Sequence, residues 1–295
     1  MSNEPFERID ADGVEISCLT SESIADRDRP LVVCLHGFPD TAHTYRELLP
    51  ALDAAGFRAV APFLRGYAPS TIPADGRYQT GASSIDAIDV HDHFGGDGRA
   101  VVIGHDWGAP IAYGAASFAP DRWSRVVGMA VPPGEAIGQA FVTNLDQLKH
   151  SWYMFFFQHA LADLVVPLND HAFIDMLWHD WSPGYDASDD LAAVKDALRE
   201  PGNLTAALGF YRAALGDGFV DPDLDAVQQA TQAVPSQPTL YLHGGDDGCI
   251  GAEVADSARP QVGDNVTIEV IAGVGHFLHL EDPQRVNTRI LEFIS

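Results

Sequence analysis

The stretch VVIGHDWGAP, residues 101–110, decides the fold. A β-branched apolar run ends at Gly104, and a helix-forming run starts after Gly108. Between them, Gly104-His105-Asp106-Trp107-Gly108 has the spacing of a G-x-S-x-G elbow, a sharp turn from strand to helix. Such a turn lifts its central side chain above the sheet edge, and small flanking residues let it close. The central residue here is a carboxylate, Asp106, where ester hydrolases carry serine. A plainer role for Asp106 is the N-cap of a helix over 107–119.

Working outward, five more apolar runs match the one at 99–104. They are LVVCLH (31–36), FRAVA (57–61), RVVGMAV (125–131), TLYLHG (239–244) and VTIEVIAG (266–273). Runs apolar on both faces are expected of strands in a covered parallel sheet. Helical patterns fall between them at 44–56, 83–95 and 109–119. The alternation predicts an α/β fold with a mostly parallel, doubly wound sheet. It stops between about 133 and 236, where the chain is helix-like and rich in Trp, Phe and Tyr. We read 1–132 and 237–295 as the core domain and 133–236 as an inserted helical cap, closed by the hinge AVPSQPT (233–239).

With 295 residues, 46% of them apolar, the chain can bury a large core. Its net charge is −25, and Lys149 and Lys195 are its only lysines. An acidic surface of this kind argues against nucleic acid and anionic membranes as partners. Cys18, Cys34 and Cys249 are far apart and read as free thiols, with no disulfide framework or zinc site. No apolar run reaches the ~18 residues that a membrane span needs. The start, MSNEPFERID, lacks the basic and apolar regions of a secretory signal. A cytoplasmic monomer or homodimer is expected.

Three further pieces surround Asp106. The strand TLYLHG is followed by Asp246 and Asp247, and VTIEVIAG by His276. Nucleophile, then acid, then histidine is the order of α/β-hydrolase triads. Taken alone, His276 could be a helix cap or a structural hydrogen-bonder, as could His279, which no Gly-x-Gly turn precedes. The segment His36-Gly37-Phe38-Pro39-Asp40 follows the strand LVVCLH. Gly37 lets the chain turn so that the Phe38 amide faces the elbow and forms an oxyanion hole with the Trp107 amide. A carboxylate is a poor acyl acceptor, but it can attack an sp³ carbon bearing a leaving group. Water activated by His276 would then cleave the resulting ester at the Asp106 carbonyl carbon. Epoxides and alkyl halides are the substrates for such chemistry, with no cofactor or metal required.

The chain resembles the α/β-hydrolase-fold epoxide hydrolases. The resemblance covers HGFPD (36–40), RGY (65–67), GHDWG (104–108), SWYMFFFQ (151–158), GFYR (209–212), HGGDD (243–247) and GVGHFLHLEDP (273–283). It implies Asp106 as nucleophile, His276 as base, and Asp247 as acid, three residues after Gly244. It also implies two cap tyrosines that bind the epoxide oxygen. Tyr153, five residues before Gln158, matches one, and Tyr211, before Arg212, matches the other. Asp246 stays open as an alternative acid. Pro62-Phe63 departs from the Asp that relatives commonly carry before Arg-Gly.

Two other functions compete. A haloalkane dehalogenase would use the same Asp, acid and His, but needs two N–H donors for halide. Trp107 can supply one, while Phe38 stands where the second donor is commonly an Asn. A non-catalytic binding protein on this fold has no need of nucleophile, acid, base and oxyanion turn together. The charge also suggests adaptation to high salt, because screening shortens from ~8 Å to ~3 Å between physiological and molar salt. On that reading, unfolding midpoints rise steeply with molar KCl; a flat response removes it.

Overall fold

The computed structural model describes residues 6–295. Eight strands form one sheet: β1 Glu7–Ala11, β2 Val14–Thr20, β3 Leu31–Leu35, β4 Arg58–Pro62, β5 Ala100–His105, β6 Trp123–Met129, β7 Thr239–Gly244 and β8 Val266–Ile271. Their order is β1-β2-β4-β3-β5-β6-β7-β8. β2 runs antiparallel to both neighbours, and β3 to β8 are all parallel. Each of the six apolar runs is a strand in this sheet.

Alternation of side chains along a strand explains why both faces are covered. In β3, Leu31, Val33 and Leu35 join one buried apolar cluster, and Val32 and Cys34 join the other. In β5, Ala100 and Val102 face the first cluster, while Val101 and Ile103 face the second. Helices Thr80–His93 and Gly108–Phe118 pack on the first side, and Leu48–Ala54 and Pro283–Ile294 on the second.

Two elements differ from the sequence expectation. The hairpin β1–β2 lies outside the six apolar runs, because β1 is half exposed and reads as polar. Its turn is Asp12-Gly13, both residues at positive φ, the two-residue signal of a tight hairpin. The single helix expected over 44–56 is instead a short 3-10 turn, Ala42–Tyr45, followed by Leu48–Ala54. Pro50 supplies the break: its ring would clash with the Arg46 carbonyl if the helix continued backward.

Between β6 and β7 the described elements are all helical, from Ala136–Thr143 to Asp225–Ala230. This insertion leaves the sheet at the C-terminal ends of the strands, where a doubly wound sheet binds ligands. Among the described residues, no helix is long and apolar enough to cross a membrane. Cys18, Cys34 and Cys249 are buried free thiols.

Behind β4, Arg65 is locked in place by Asp86, with Nε donating at 2.7 Å and the other guanidinium nitrogen at 2.6 Å. Both side chains are almost fully buried. Removing one partner from such a pair strands the other charge and typically costs about 3–5 kcal/mol. Asp86→Asn is expected to lower unfolding stability by that order in urea titrations. Asp86→Leu combined with Arg65→Met should cost much less than either change alone.

Candidate active site

Asp106 forms the tip of the turn between β5 and helix Gly108–Phe118, with φ at 51°. That left-handed backbone costs a non-glycine residue on the order of 1–3 kcal/mol. Its carboxylate is not a helix cap. Oδ1 accepts a hydrogen bond from the Phe38 amide at 2.7 Å, across 68 residues of chain.

Close approach explains the glycines. A Cβ on Gly104 would lie 1.9 Å from the Gly108 carbonyl oxygen, and one on Gly108 would lie 2.0 Å from the Leu35 carbonyl oxygen. A Cβ on Gly37 would meet Asp106 Oδ1 at 2.3 Å. The turn carrying Phe38 is braced by His36. Its Nε2 accepts from the Leu64 amide at 3.0 Å, which leaves Nδ1–H to donate to the Gly37 carbonyl at 2.9 Å. Burial lowers the His36 pKa to about 4, so the ring stays neutral. The Pro39 carbonyl accepts from Trp178 Nε1 at 2.8 Å, which ties the turn to the helical insertion. Trp107 follows Asp106 directly and stands at the start of the helix.

Asp247 lies in the loop after β7 and His276 in the loop after β8. His276 Nδ1 is 3.0 Å from Asp247 Oδ2, and its Nε2 is 3.5 Å from Asp106 Oδ2. The second Asp247 oxygen accepts from the amides of Cys249 at 2.7 Å and Ile250 at 2.9 Å. Asp246 is exposed, whereas Asp247 is buried against His276, and His279 bonds Thr44 at 2.6 Å. Burial by itself would lower the His276 pKa. The charges of Asp247 and Asp106 and their hydrogen bonds outweigh it and push the pKa up to about 10. Asp247 is the converse case: burial raises its pKa, yet the facing imidazolium and the hydrogen bonds hold it below the usual carboxylate value.

Tyr153 comes from helix Trp152–Phe156 and Tyr211 from helix Pro201–Leu215. Both are fully buried, with ring centroids 5.7 Å apart. The Tyr211 ring packs edge-on against Trp107 at 5.0 Å and Phe38 at 5.2 Å. Its hydroxyl has no hydrogen-bond partner, whereas the Tyr153 hydroxyl is 3.4 Å from Cys249 Sγ. Two side chains pin these segments together. Gln158 Nε2 donates to the Tyr211 carbonyl at 3.1 Å, and Arg212 Nε donates to the Phe157 carbonyl at 3.0 Å. A cavity of about 670 Å³ opens above this group, with Asp106, Trp107 and Tyr211 in its wall.

Several neighbours escape a reading of the sequence. Gln147 of the insertion donates to the Cys249 carbonyl at 2.9 Å and accepts from the Gly251 amide at 3.0 Å, clamping the loop that carries Asp247. The Trp181 carbonyl accepts from the His276 amide at 3.0 Å and the Gly248 amide at 3.2 Å, joining the loops that carry His276 and Asp247. His105 Nε2 donates to the His276 carbonyl at 2.9 Å. No local pattern marks Gln147 or Trp181, because their partners lie far away in the chain. Two groups bring metal-ligating atoms within 4.8 Å: Asp40, His105 and His279, and Asp106, Cys249 and His276. In the first, Thr41 N–H, the His276 carbonyl and Thr44 each already engage one atom of the three side chains.

A family model described as alpha/beta hydrolase fold matches residues 30–283. The chain belongs to the alpha/beta hydrolase fold family. Among its relatives in that family, Epoxide hydrolase B of Mycobacterium tuberculosis is 29% identical, over 93% of this chain and 94% of the relative. The AB hydrolase superfamily protein YfhM of Bacillus subtilis is 28% identical, over 91% of each. The Bacillus megaterium epoxide hydrolase, solved in complex with an inhibitor, is 25% identical with a TM-score of 0.79, over 98% of this chain and 99% of that one. The resemblance carried by the motifs thus meets relatives of the expected name, and this alpha/beta hydrolase is an enzyme of the hydrolase class.

The raised His276 pKa has a thermodynamic consequence. A group bound more tightly to its proton in the folded state adds stability below its unfolded pKa of 6.5, and that stability is lost as pH rises toward about 10. A tenfold difference in proton affinity between the folded and unfolded chain is worth 1.36 kcal/mol, so the loss is on the order of a few kcal/mol. Urea unfolding between about pH 6.5 and pH 10 is expected to weaken the wild-type protein more than His276→Gln. Parallel losses in the two proteins would show that the imidazolium is not held.

Proposed function

We propose that this protein hydrolyses an epoxide to a vicinal diol through an ester on Asp106, with the helical insertion acting as a cap over the site. The supporting observation is the pairing of an elbow carboxylate with a buried, unpartnered Tyr211 hydroxyl in one cavity wall. The names of its relatives agree with this reading.

Asp106 Oδ1 is held by the Phe38 amide, which leaves Oδ2 to attack an oxirane carbon. The carbon–oxygen bond breaks, and the ring oxygen takes the proton of a tyrosine hydroxyl. Esterification removes the Asp106 charge, one of the two anions that hold the His276 proton. The imidazolium then returns a proton to the tyrosinate and becomes a neutral base. It next takes a proton from water, whose oxygen attacks Asp106 Cγ. Negative charge develops on Oδ1, already 2.7 Å from the Phe38 N–H. The Trp107 amide is the second donor we assign. Collapse expels the diol oxygen, which picks up the hydroxyl proton of the tetrahedral carbon. Asp106 is again an anion, and His276 is again a cation between two carboxylates. Asp247 fixes the imidazole tautomer and orientation throughout.

One observation favours a dehalogenase as the second reading. Trp107 Nε1 is buried without a partner and could hold a halide. Tyrosines serve an alkoxide better, since a hydrogen bond to a charged group contributes about 1.5–3 kcal/mol.

The decisive experiment is a panel of epoxides and haloalkanes assayed for diol and for halide. Diol alone is expected; halide without diol would replace this function with the second reading. His276→Gln should accumulate an adduct on Asp106 with the added mass of the epoxide, seen by peptide mass spectrometry. Because Tyr211 lines the cavity and Tyr153 does not, Tyr211→Phe is expected to reduce kcat by about 10- to 100-fold. Tyr153→Phe should reduce it less. The reverse order would mean that Cys249 does not occupy the Tyr153 hydroxyl.

A further inference from the structure

The cavity over Asp106 has an uneven electrostatic wall. Among the described residues that line it there is no Lys, Arg or His. Its only acids are Asp106 at the base and Glu135, which precedes helix Ala136–Thr143. Glu135 is exposed, takes part in no ion pair among the described residues, and has Gln139 Nε2 at 3.5 Å as its polar neighbour. Nothing in the wall can therefore pair with an anionic ligand, and one uncompensated anion faces it.

The rim has the opposite character. Val142 is 82% exposed, Leu215 41% and Val220 42%, and all three line the same cavity. Ile137, Phe141 and Met154, all partly buried, add to the apolar lining. Exposed apolar side chains gathered at one opening mark a binding surface, and here they sit on a chain with net charge −25. A volume of about 670 Å³ suits a ligand larger than a bare oxirane.

Resting on the epoxide reading above, we infer that the substrate is an uncharged, lipophilic epoxide, and that Glu135 turns away epoxides bearing a carboxylate. A carboxylate entering this cavity must shed water with no cation to receive it, which is costly. It also meets repulsion from Glu135 at short range and from the protein's overall negative field at longer range. A neutral chain meets neither penalty and gains apolar contact at the rim. Glu135 is thus a specificity residue that does not touch the reacting atoms.

A matched pair of substrates tests this: an ω-epoxy fatty acid and its methyl ester, which share one oxirane far from the variable group. The wild-type kcat/KM for the ester is expected to exceed that for the acid by about tenfold or more, a difference of ~1.4 kcal/mol. Glu135→Gln should narrow the ratio, and Glu135→Lys should narrow it further, chiefly through a lower KM for the acid. Raising KCl to about 1 M, where screening shortens to ~3 Å, should narrow the ratio in the wild type without any substitution. Equal turnover of acid and ester, or a ratio unmoved by both the substitutions and salt, overturns the inference and leaves the epoxide reading intact. Failure to form diol from the ester, the acid and styrene oxide alike overturns both.

Discussion

A single imidazole caught between two carboxylates organises the site. His276 is fully buried, with Asp247 at 3.0 Å on one side and Asp106 at 3.5 Å on the other. Burying charge is costly unless it is paired, and here two anions share one cation. That leaves a net negative charge in the interior, which the Cys249, Ile250 and Phe38 amides partly offset by donating to the carboxylates. The backbone around the site is arranged to present those amides. This explains why three loops from distant parts of the chain converge with so little freedom.

The sheet supplies the rigid base. β5, β7 and β8 end at the same edge, so their following loops meet without long excursions. Glycines at 37, 104 and 108 let backbones approach to distances that no side chain allows. The helical insertion contributes more than a roof. The Trp181 carbonyl binds two of the loops, Gln147 grips the loop that carries Asp247, and Trp178 holds the Phe38–Pro39 turn. Loss of the insertion would free the very segments that carry the charge cluster.

On the proposed mechanism, the same charges link binding and turnover. An anionic Asp106 keeps His276 protonated, and a neutral ester at 106 would release it. The switch from nucleophile to base chemistry would then follow from the substrate's own attachment, with no conformational change required. Tyr211 complements this, because its hydroxyl is buried with no competing partner. The apolar rim and the lone Glu135 would set what reaches that hydroxyl, a selection made well away from the bond that breaks.

The six core strands were legible because apolar runs on both faces of a covered sheet are a local signal, and the elbow was legible because its glycines are close in sequence. Asp247 could be ranked above Asp246 only by counting from Gly244 and by family likeness; the fold separates them physically, burying Asp247 beside His276 and exposing Asp246. The hairpin β1–β2 had its Asp12-Gly13 signal, but the half-polar strands masked it. The roles of Gln147, Trp181 and His105 were invisible, since each acts through backbone groups of a distant segment. Gln147 reaches Cys249, 102 residues on, and His105 reaches His276, 171 residues on. Sequence by itself determined the order of strands along the chain and the elbow that presents Asp106, because both depend on residue type and local spacing. Tertiary structure alone decided the raised proton affinity of His276, the burial of Tyr211 beside Asp106 and the polarity of the entrance, because fields, burial and hydrogen bonding arise only when distant segments meet.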